Sequence, residues 1–386
     1  NLFNKGPVTP DHVIRIKSKP LIIPNKHLTT SKMISNHVNA YVKKYKNYFK
    51  KYKKNITNSK IADPLPRIII LEGIGFLSIG LNKKEMQVSY DIFDAMKKVI
   101  IKANLVSKFK SINNTDIFKM EYWPLERAKL NNQNTKKFNG NVAVITGGAG
   151  KIGSAIANKF INENIEVILL DKNFKNLDKN IKKKCLCIEC DLTNNSQINK
   201  ALKKTLKLFG GIDILIANSG AAFQGSMLNV KKDTLEKSLE VNFYSHHNIV
   251  QKIANIMVSQ GFGGSISLNL SKQSINPGKD FGPYGIAKAS SLFSMKQYAL
   301  EFGKYNIRVN GINADRIKSG LLTDQFIKER AKARNMSSTE YLNNNLLQKQ
   351  VTAEDVAEAF FAQLSFEKTT GNIITVDGGN IEASLR

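Results

Sequence analysis

Tyr284 and Lys288 stand four residues apart, a spacing that brings both side chains to one face of a helix. An ammonium beside a phenol favours the phenolate and lowers its pKa toward neutrality. Such a phenol can exchange a proton with a carbonyl or alcohol oxygen. Ser271 lies 13 residues before Tyr284, just past a strand expected over 264–270. Its hydroxyl then falls at the C-terminal edge of a sheet, where open parallel sheets bind ligands. Asn242, expected on the helix before that strand, is a candidate to hold a water in a proton path.

A second segment has the composition of a phosphate cradle. Thr146-Gly147-Gly148-Ala149-Gly150-Lys151-Ile152-Gly153 follows an apolar strand candidate, 142–146, and opens a helix. A glycine-rich turn lets the backbone approach a pyrophosphate, and the helix N-terminus supplies unpaired N–H groups and partial positive charge. Asp171 ends the next strand 18 residues after Gly153. A carboxylate there can hydrogen-bond ribose hydroxyls and repel a 2′-phosphate, which favours NAD over NADP. Lys172 and Lys175 pull the other way.

These groups need a scaffold, and the chain after residue 139 supplies its pattern. Short apolar runs at 142–146, 166–171, 185–190, 213–218, 264–270, 307–313 and 372–377 alternate with stretches of helical length. That alternation predicts an α/β fold, a Rossmann-like doubly wound parallel sheet of about seven strands with helices on both faces. The polar stretch 129–140 reads as a linker. Ahead of it the pattern is less regular: a proline-bearing extended arm over 1–30, a helix over 36–54, strands at 67–72 and 76–81, and a helix over 84–103. The expected domains are an N-terminal α/β extension over 1–132, a linker over 133–140 and the Rossmann domain over 141–386.

Of 386 residues, 42% are hydrophobic, enough for a sizeable core and against global disorder. No run of about 18 apolar residues predicts a membrane span. Asn1-Leu2-Phe3-Asn4-Lys5 lacks the apolar stretch of a signal peptide. The net charge is +27, and two thirds of the excess falls in the first third of the chain: positions 1–138 hold 27 of the 58 basic but 9 of the 31 acidic residues. This reads as lysine-rich solvated surface, with neither nucleic acid nor membrane as partner. Tyr41, Tyr45, Tyr48, Phe49 and Tyr52 recur at helical spacing and read as a buried stripe among lysines. Cys185, Cys187 and Cys190 make no disulfide framework and read as core residues of the third Rossmann strand, which places the chain in a reducing cytoplasm. No metal site is expected.

Residues 139–386 resemble the short-chain dehydrogenase/reductase superfamily in the glycine turn, Asp191-Leu192, Ala217-Asn218-Ser219-Gly220, Asn242, Ser271, Tyr284/Lys288 and the closing Val376-Asp377-Gly378-Gly379. The resemblance implies that Ser271 orients the substrate oxygen and Tyr284 is the general acid/base. It implies that Lys288 depresses the tyrosine pKa and binds the nicotinamide ribose, and that Asn242 anchors a water relay. Asp191 and Leu192 would meet the adenine, Asn218 and Gly220 would line the adenosine side, and the nicotinamide carboxamide would fall near Ile317. Three positions depart from the family pattern: Lys151 replaces a glycine, Ser219 an alanine, and Ala314-Asp315 a Pro-Gly. Tetramers, usual in that superfamily, suggest a homo-oligomer.

A closer resemblance spans nearly the whole chain. Gly6–Arg15, Asp63-Pro64 through Arg67, Glu121–Glu126, Pro277–Gly282 and Asn345–Leu347 are similar to the C-terminal two thirds of the bifunctional rhamnulose-phosphate aldolase/alcohol dehydrogenase family. That likeness implies an aldolase-derived extension before a dehydrogenase acting on a lactaldehyde-like, polyol or sugar-phosphate substrate. Ile74 stands where such an aldolase carries a metal-ligand histidine, and an alkyl group binds no zinc, so no aldolase activity is expected. His12 reads as a structural residue capped by Asp11. Lys272, Gln273, Lys279 and Arg316 follow strand ends near the expected site and are weak candidates for meeting a small-molecule substrate's anionic group. The competing reading is a non-catalytic dinucleotide sensor or scaffold whose basic N-terminal region binds a partner; Lys151 and Ala314-Asp315 keep it open.

Overall fold

The computed structural model describes residues 2–56, 60–130, 136–320 and 322–380. The chain divides into two compact units, Asn1–Lys137 and Phe138–Arg386.

The first unit runs α1 (Pro10–Ile16), β1 (Leu21–Ile23), α2 (Ser31–Tyr52), β2 (Ile68–Leu71), β3 (Gly75–Ser78), α3 (Lys83–Val106), α4 (Asn114–Glu121) and α5 (Pro124–Ala128). Strand β2 is central, parallel to β1 and antiparallel to β3. The expected extended arm over 1–30 is therefore corrected. Pro10 takes the first position of α1, where a missing N–H is no loss. Val8 and Thr9 both donate their backbone N–H to His12 Nδ1 at 3.2 Å. The imidazole is thus itself the cap, not a group capped by Asp11. Burial lowers its pKa against the pull of Asp11, keeping the ring neutral and able to accept. On α2, Tyr45, Tyr48, Phe49 and Tyr52 pack around Phe118 of α4 and Tyr122 just past its end, while Lys43, Lys44, Lys46 and Lys50 face solvent.

The second unit alternates strand and helix. In order it has β4 (Val142–Thr146), α6 (Lys151–Asn162), β5 (Glu166–Asp171), α7 (Lys179–Lys184), β6 (Leu186–Glu189), α8 (Asn195–Phe209) and β7 (Ile214–Ala217). Then come α9 (Lys232–Leu239), α10 (Ser245–Gln260), β8 (Gly264–Asn269), α11 (Gly282–Phe302), β9 (Ile307–Ala314), α12 (Asp324–Lys332), α13 (Ser338–Asn343), α14 (Ala353–Leu364) and β10 (Ile373–Val376). The strands form one parallel sheet in the order β10-β9-β8-β7-β4-β5-β6. Chain order reverses between β4 and β7, which opens a crevice at their C-terminal ends.

The sheet is covered on both faces, so its central strands β4, β5 and β7 are almost wholly apolar, while β8 and β9 also bury Ser265, Ser267, Asn310 and Asn313. Along β4, Val142 and Val144 join the core under α8, α10 and α11, while Ala143 and Ile145 join the core under α6 and α14. Cys190 is buried in the first of these cores. Cys185 and Cys187 are only half-buried against the second, so the expected burial holds in full for one thiol. Among the described residues no helix is long and apolar enough to cross a membrane.

Candidate active site

The glycine turn leaves β4 where the sheet order reverses. Gly147 has φ +62°, a left-handed backbone that disfavours side chains, and a Cβ there would lie 2.8 Å from Ser219 Cα. Two strand ends are thereby drawn together. Asn218 fastens them: its Nδ2 donates to the carbonyls of Thr146 at 3.0 Å and Gly147 at 3.3 Å. Its backbone N–H donates to Thr146 Oγ1 at 2.9 Å, and its Oδ1 accepts from Asn269 Nδ2 at 2.8 Å. Gly150 precedes α6 as its cap, Lys151 begins the helix with an exposed side chain, Ile152 faces the neighbouring cleft, and Gly153 is buried against the Gly147 carbonyl. Such a turn can hold a pyrophosphate on the free N–H groups of the first helical turn.

Asp171 closes β5 beside this turn. Its carboxylate accepts from the N–H groups of Ala149 at 2.9 Å and Lys172 at 2.7 Å. Asp171, Asp191, Leu192 and Gly147 line one small cavity of about 70 Å³. Burial works to raise the Asp191 pKa, but the Thr193 N–H and hydroxyl and the Lys172 ammonium, 2.9 Å away, hold it below the usual carboxylate value. Lys172 therefore faces the second acidic residue. The cradle and the two carboxylates fit an adenosine dinucleotide.

A larger cleft of about 430 Å³ opens beyond the C-terminal ends of β8 and β9. Ser271, one residue past Leu270, and Tyr284, in the first turn of α11, both line it. The Ser271 hydroxyl accepts from the Gln273 N–H at 3.3 Å and stands close enough to the phenol to lower its pKa. Lys288, one turn along α11, is buried, and its Nζ donates to the Asn269 carbonyl at 2.8 Å and lies 5.8 Å from the Tyr284 ring centre. The sequence spacing thus brings Ser271, Tyr284 and Lys288 together. Their electrostatics differ from the expectation. Burial pushes the phenol up to about 12, with the neighbouring Ser271 hydroxyl opposing, and burial alone drives the ammonium down to about 8. Desolvation outweighs the expected ammonium–phenol attraction in this geometry.

Asn242 does not sit within a regular helix as expected. It lies in a π-helical turn, Glu240–Tyr244, between α9 and α10. Its Nδ2 donates to the Ala221 and Ser238 carbonyls at 3.0 and 3.2 Å, its Oδ1 accepts from the Ala221 N–H at 3.0 Å, and its own carbonyl accepts from Ser291. The amide thus clamps the segment after Gly220. A Cβ at Gly220 would lie 2.9 Å from Asn242 Oδ1 and 3.8 Å from Lys288 Nζ, so glycine is what lets these groups converge.

The weak substrate candidates fare differently. Lys272, Gln273, Arg316 and Ile317 all line the cleft. Yet Lys272 Nζ is 3.0 Å and Arg316 Nε 3.5 Å from the same Asp315 oxygen, which also accepts from Asn380. Arg316 further donates to the carbonyls of Tyr341 and Asn344, and Gln273 accepts from the Gly278 N–H. These polar ends are occupied by the protein. Three neighbours were missed from sequence: Asn269, which touches both Asn218 and Lys288; Arg330; and His246. The His246 Nε2 lies 2.6 Å from the Ser219 carbonyl, and burial drives its pKa to about 3 with the Lys288 charge adding to the shift. Only an i+4 step from Asn242 could have flagged His246. Among the described residues no three His, Cys, Asp or Glu converge as metal ligands.

Comparison with known proteins bears on the family and the fold. Residues 1–130 match the family model Aldolase class II, second domain. The "Uncharacterized oxidoreductase YuxG" of Bacillus subtilis is 29% identical over 97% of this chain, and the chain spans 57% of that relative's length. "Short-chain dehydrogenase reductase 3a" of Arabidopsis thaliana is 28% identical over 63% of this chain and 96% of its own. The crystal structure of NAD+-bound xylitol dehydrogenase superposes with TM-score 0.59 at 23% identity, covering 63% of this chain and all of that one, which shows the shared fold. Residues 147–380 match the family model Enoyl-(Acyl carrier protein) reductase, and with the Ser271–Tyr284–Lys288 cluster beside the glycine turn, the chain belongs to the short-chain dehydrogenase/reductase family.

Proposed function

We propose that the second unit interconverts an alcohol and a carbonyl on a small hydroxylated or sugar-derived substrate, with NAD(H) as the redox partner. The observation that carries this reading is that Ser271 and Tyr284 line the wall of one cleft, with Lys288 buried behind them. The nicotinamide, when bound, supplies or accepts the hydride. In the reducing direction the Tyr284 hydroxyl gives its proton to the carbonyl oxygen as the carbon is reduced; in the oxidising direction the phenolate takes the alcohol proton. Ser271 donates to the same oxygen and orients it. Lys288 stabilises the phenolate by charge. Asn218, Gly147 and Gly153 shape the dinucleotide cradle, with Asp191 and Leu192 toward the adenine and Ile317 toward the carboxamide. Asp171 supports NAD over NADP, because its carboxylate would repel a 2′-phosphate.

The same reading assigns 1–132 as an aldolase-derived extension, 133–140 as a linker and 141–386 as the catalytic domain; 131–135 lie outside the described residues. Phe293 and Leu300, 71% and 77% exposed on the outer face of α11, support packing against a second copy. Three free cysteines fit a reducing cytoplasm. The test is NADH absorbance with the purified chain and a panel of aldehydes and polyols. Tyr284→Phe should lower turnover about 100- to 10,000-fold. A Phe variant as fast as the parent, or NADH binding with no turnover of any substrate, refutes the reading; the latter favours a dinucleotide sensor.

A further inference from the structure

We infer that the cleft beside Ser271 and Tyr284 takes a substrate carrying an anionic group, a phosphate or carboxylate, and that Arg330 on α12 recognises it. This deepens the dehydrogenase reading and rests on it for the position of the reacting carbon.

The cleft wall carries Lys272, Lys279, Arg316, Arg330 and Arg334 against one carboxylate among the described lining residues, Asp315. Asp315 is buried and neutralises only Lys272 and Arg316. The remaining cations have no acidic partner among the described residues. Arg330 is the one built into the wall. Its guanidinium lies 4.9 Å from the Phe281 ring centre and 5.2 Å from that of Phe326, and the two rings meet edge to face. Its one described hydrogen bond is a long one, from an Nη to the Lys279 carbonyl at 3.4 Å. Two aromatic rings therefore fix the orientation of a planar donor fork whose other donors have no described partner, and such a fork matches phosphate or carboxylate oxygens.

Position links this fork to the chemistry. Phe281 also packs edge to face on Tyr284, with ring centres 6.3 Å apart. One ring thus separates the guanidinium from the phenol. A substrate whose reacting carbon lies at Tyr284 and whose anion lies a few bonds away spans that ring. Arg334, one turn along the chain from Arg330 and stacked near Tyr341, adds a second positive charge at the open side.

The experiment compares matched pairs of neutral and anionic substrates in the full chain: glycerol with glycerol 3-phosphate, and xylitol with xylitol 5-phosphate. The wild type should favour the anionic member in kcat/KM by tenfold or more. Arg330→Met should reduce that anionic-to-neutral ratio at least tenfold through KM, and Arg330→Lys should restore part of it. Equal use of both members, or a ratio unmoved by Arg330→Met, overturns the inference while leaving the dehydrogenase reading intact. If neither member turns over, the dehydrogenase reading suffers, and inorganic phosphate decides the inference separately. Phosphate should raise the wild-type Tm and raise that of Arg330→Met less; equal shifts overturn it.

Discussion

Lys288→Met isolates the cost of keeping an ammonium inside the second unit. The parent side chain is 3% exposed, and burial drives its pKa from 10.5 to about 8. A displacement of that size corresponds to about 3 kcal/mol of destabilisation at neutral pH. The cost is fully present below the folded value of about 8, where both folded and unfolded chains are protonated. It fades as pH rises toward 10.5, because only the unfolded chain then still binds the proton. Methionine has similar length and no charge, but it loses the hydrogen bond to the Asn269 carbonyl, worth about 1 kcal/mol. The net expectation is a gain of about 2 kcal/mol at pH 7, or roughly 4–8 °C in Tm for a unit of this size. Calorimetry or urea titration at pH 7 and pH 10 checks both parts, and NADH absorbance should show activity lost at the same time. A Met variant less stable than the parent at pH 7, or an advantage that does not shrink at pH 10, refutes the argument that Lys288 is a strained, function-bearing charge.

Two further substitutions probe the dinucleotide side. Gly147→Ala forces a Cβ toward Ser219 Cα from a left-handed backbone, a conformational penalty of about 1–2 kcal/mol before any overlap; NADH affinity measured by fluorescence should fall about tenfold, and unchanged affinity would remove the cradle from the site. Asp171→Ser removes the carboxylate that lines the small cavity with Asp191; the NAD-over-NADP ratio in kcat/KM should fall tenfold or more, and an unaltered ratio would assign cofactor choice elsewhere.

The parallel sheet was legible because β4, β5 and β7 are short, apolar and buried on both faces and alternate with stretches of helical length. The Ser271–Tyr284–Lys288 cluster was legible because a helical repeat and a strand end fix its geometry locally. What depended on distant partners was not. Asp315 captures Lys272 across 43 positions, so the apparent availability of Lys272 came from reading each residue without its acceptor. Arg330 carries no motif; it matters because Phe281 and Phe326 hold it, and that stacking exists only once α11 and α12 are packed. Prolines obscured α1, since Pro10 starts a helix as readily as it breaks one. The direction of the Tyr284 shift failed for a related reason: spacing reports an ammonium's proximity, but desolvation is set by everything packed around it.

The π-turn at Glu240–Tyr244 carries one residue more than a regular helical turn would hold, and it sets the rotational phase between α9 and α10. Loss of a single residue there would let the backbone wind regularly and swing all that follows by about 100°. Asn242 would turn away from Ala221, and the apolar stripe of Ile249, Val250, Ile253 and Met257 would rotate off the sheet. Descendants of this chain can therefore exchange side chains along this segment far more freely than they can shorten it.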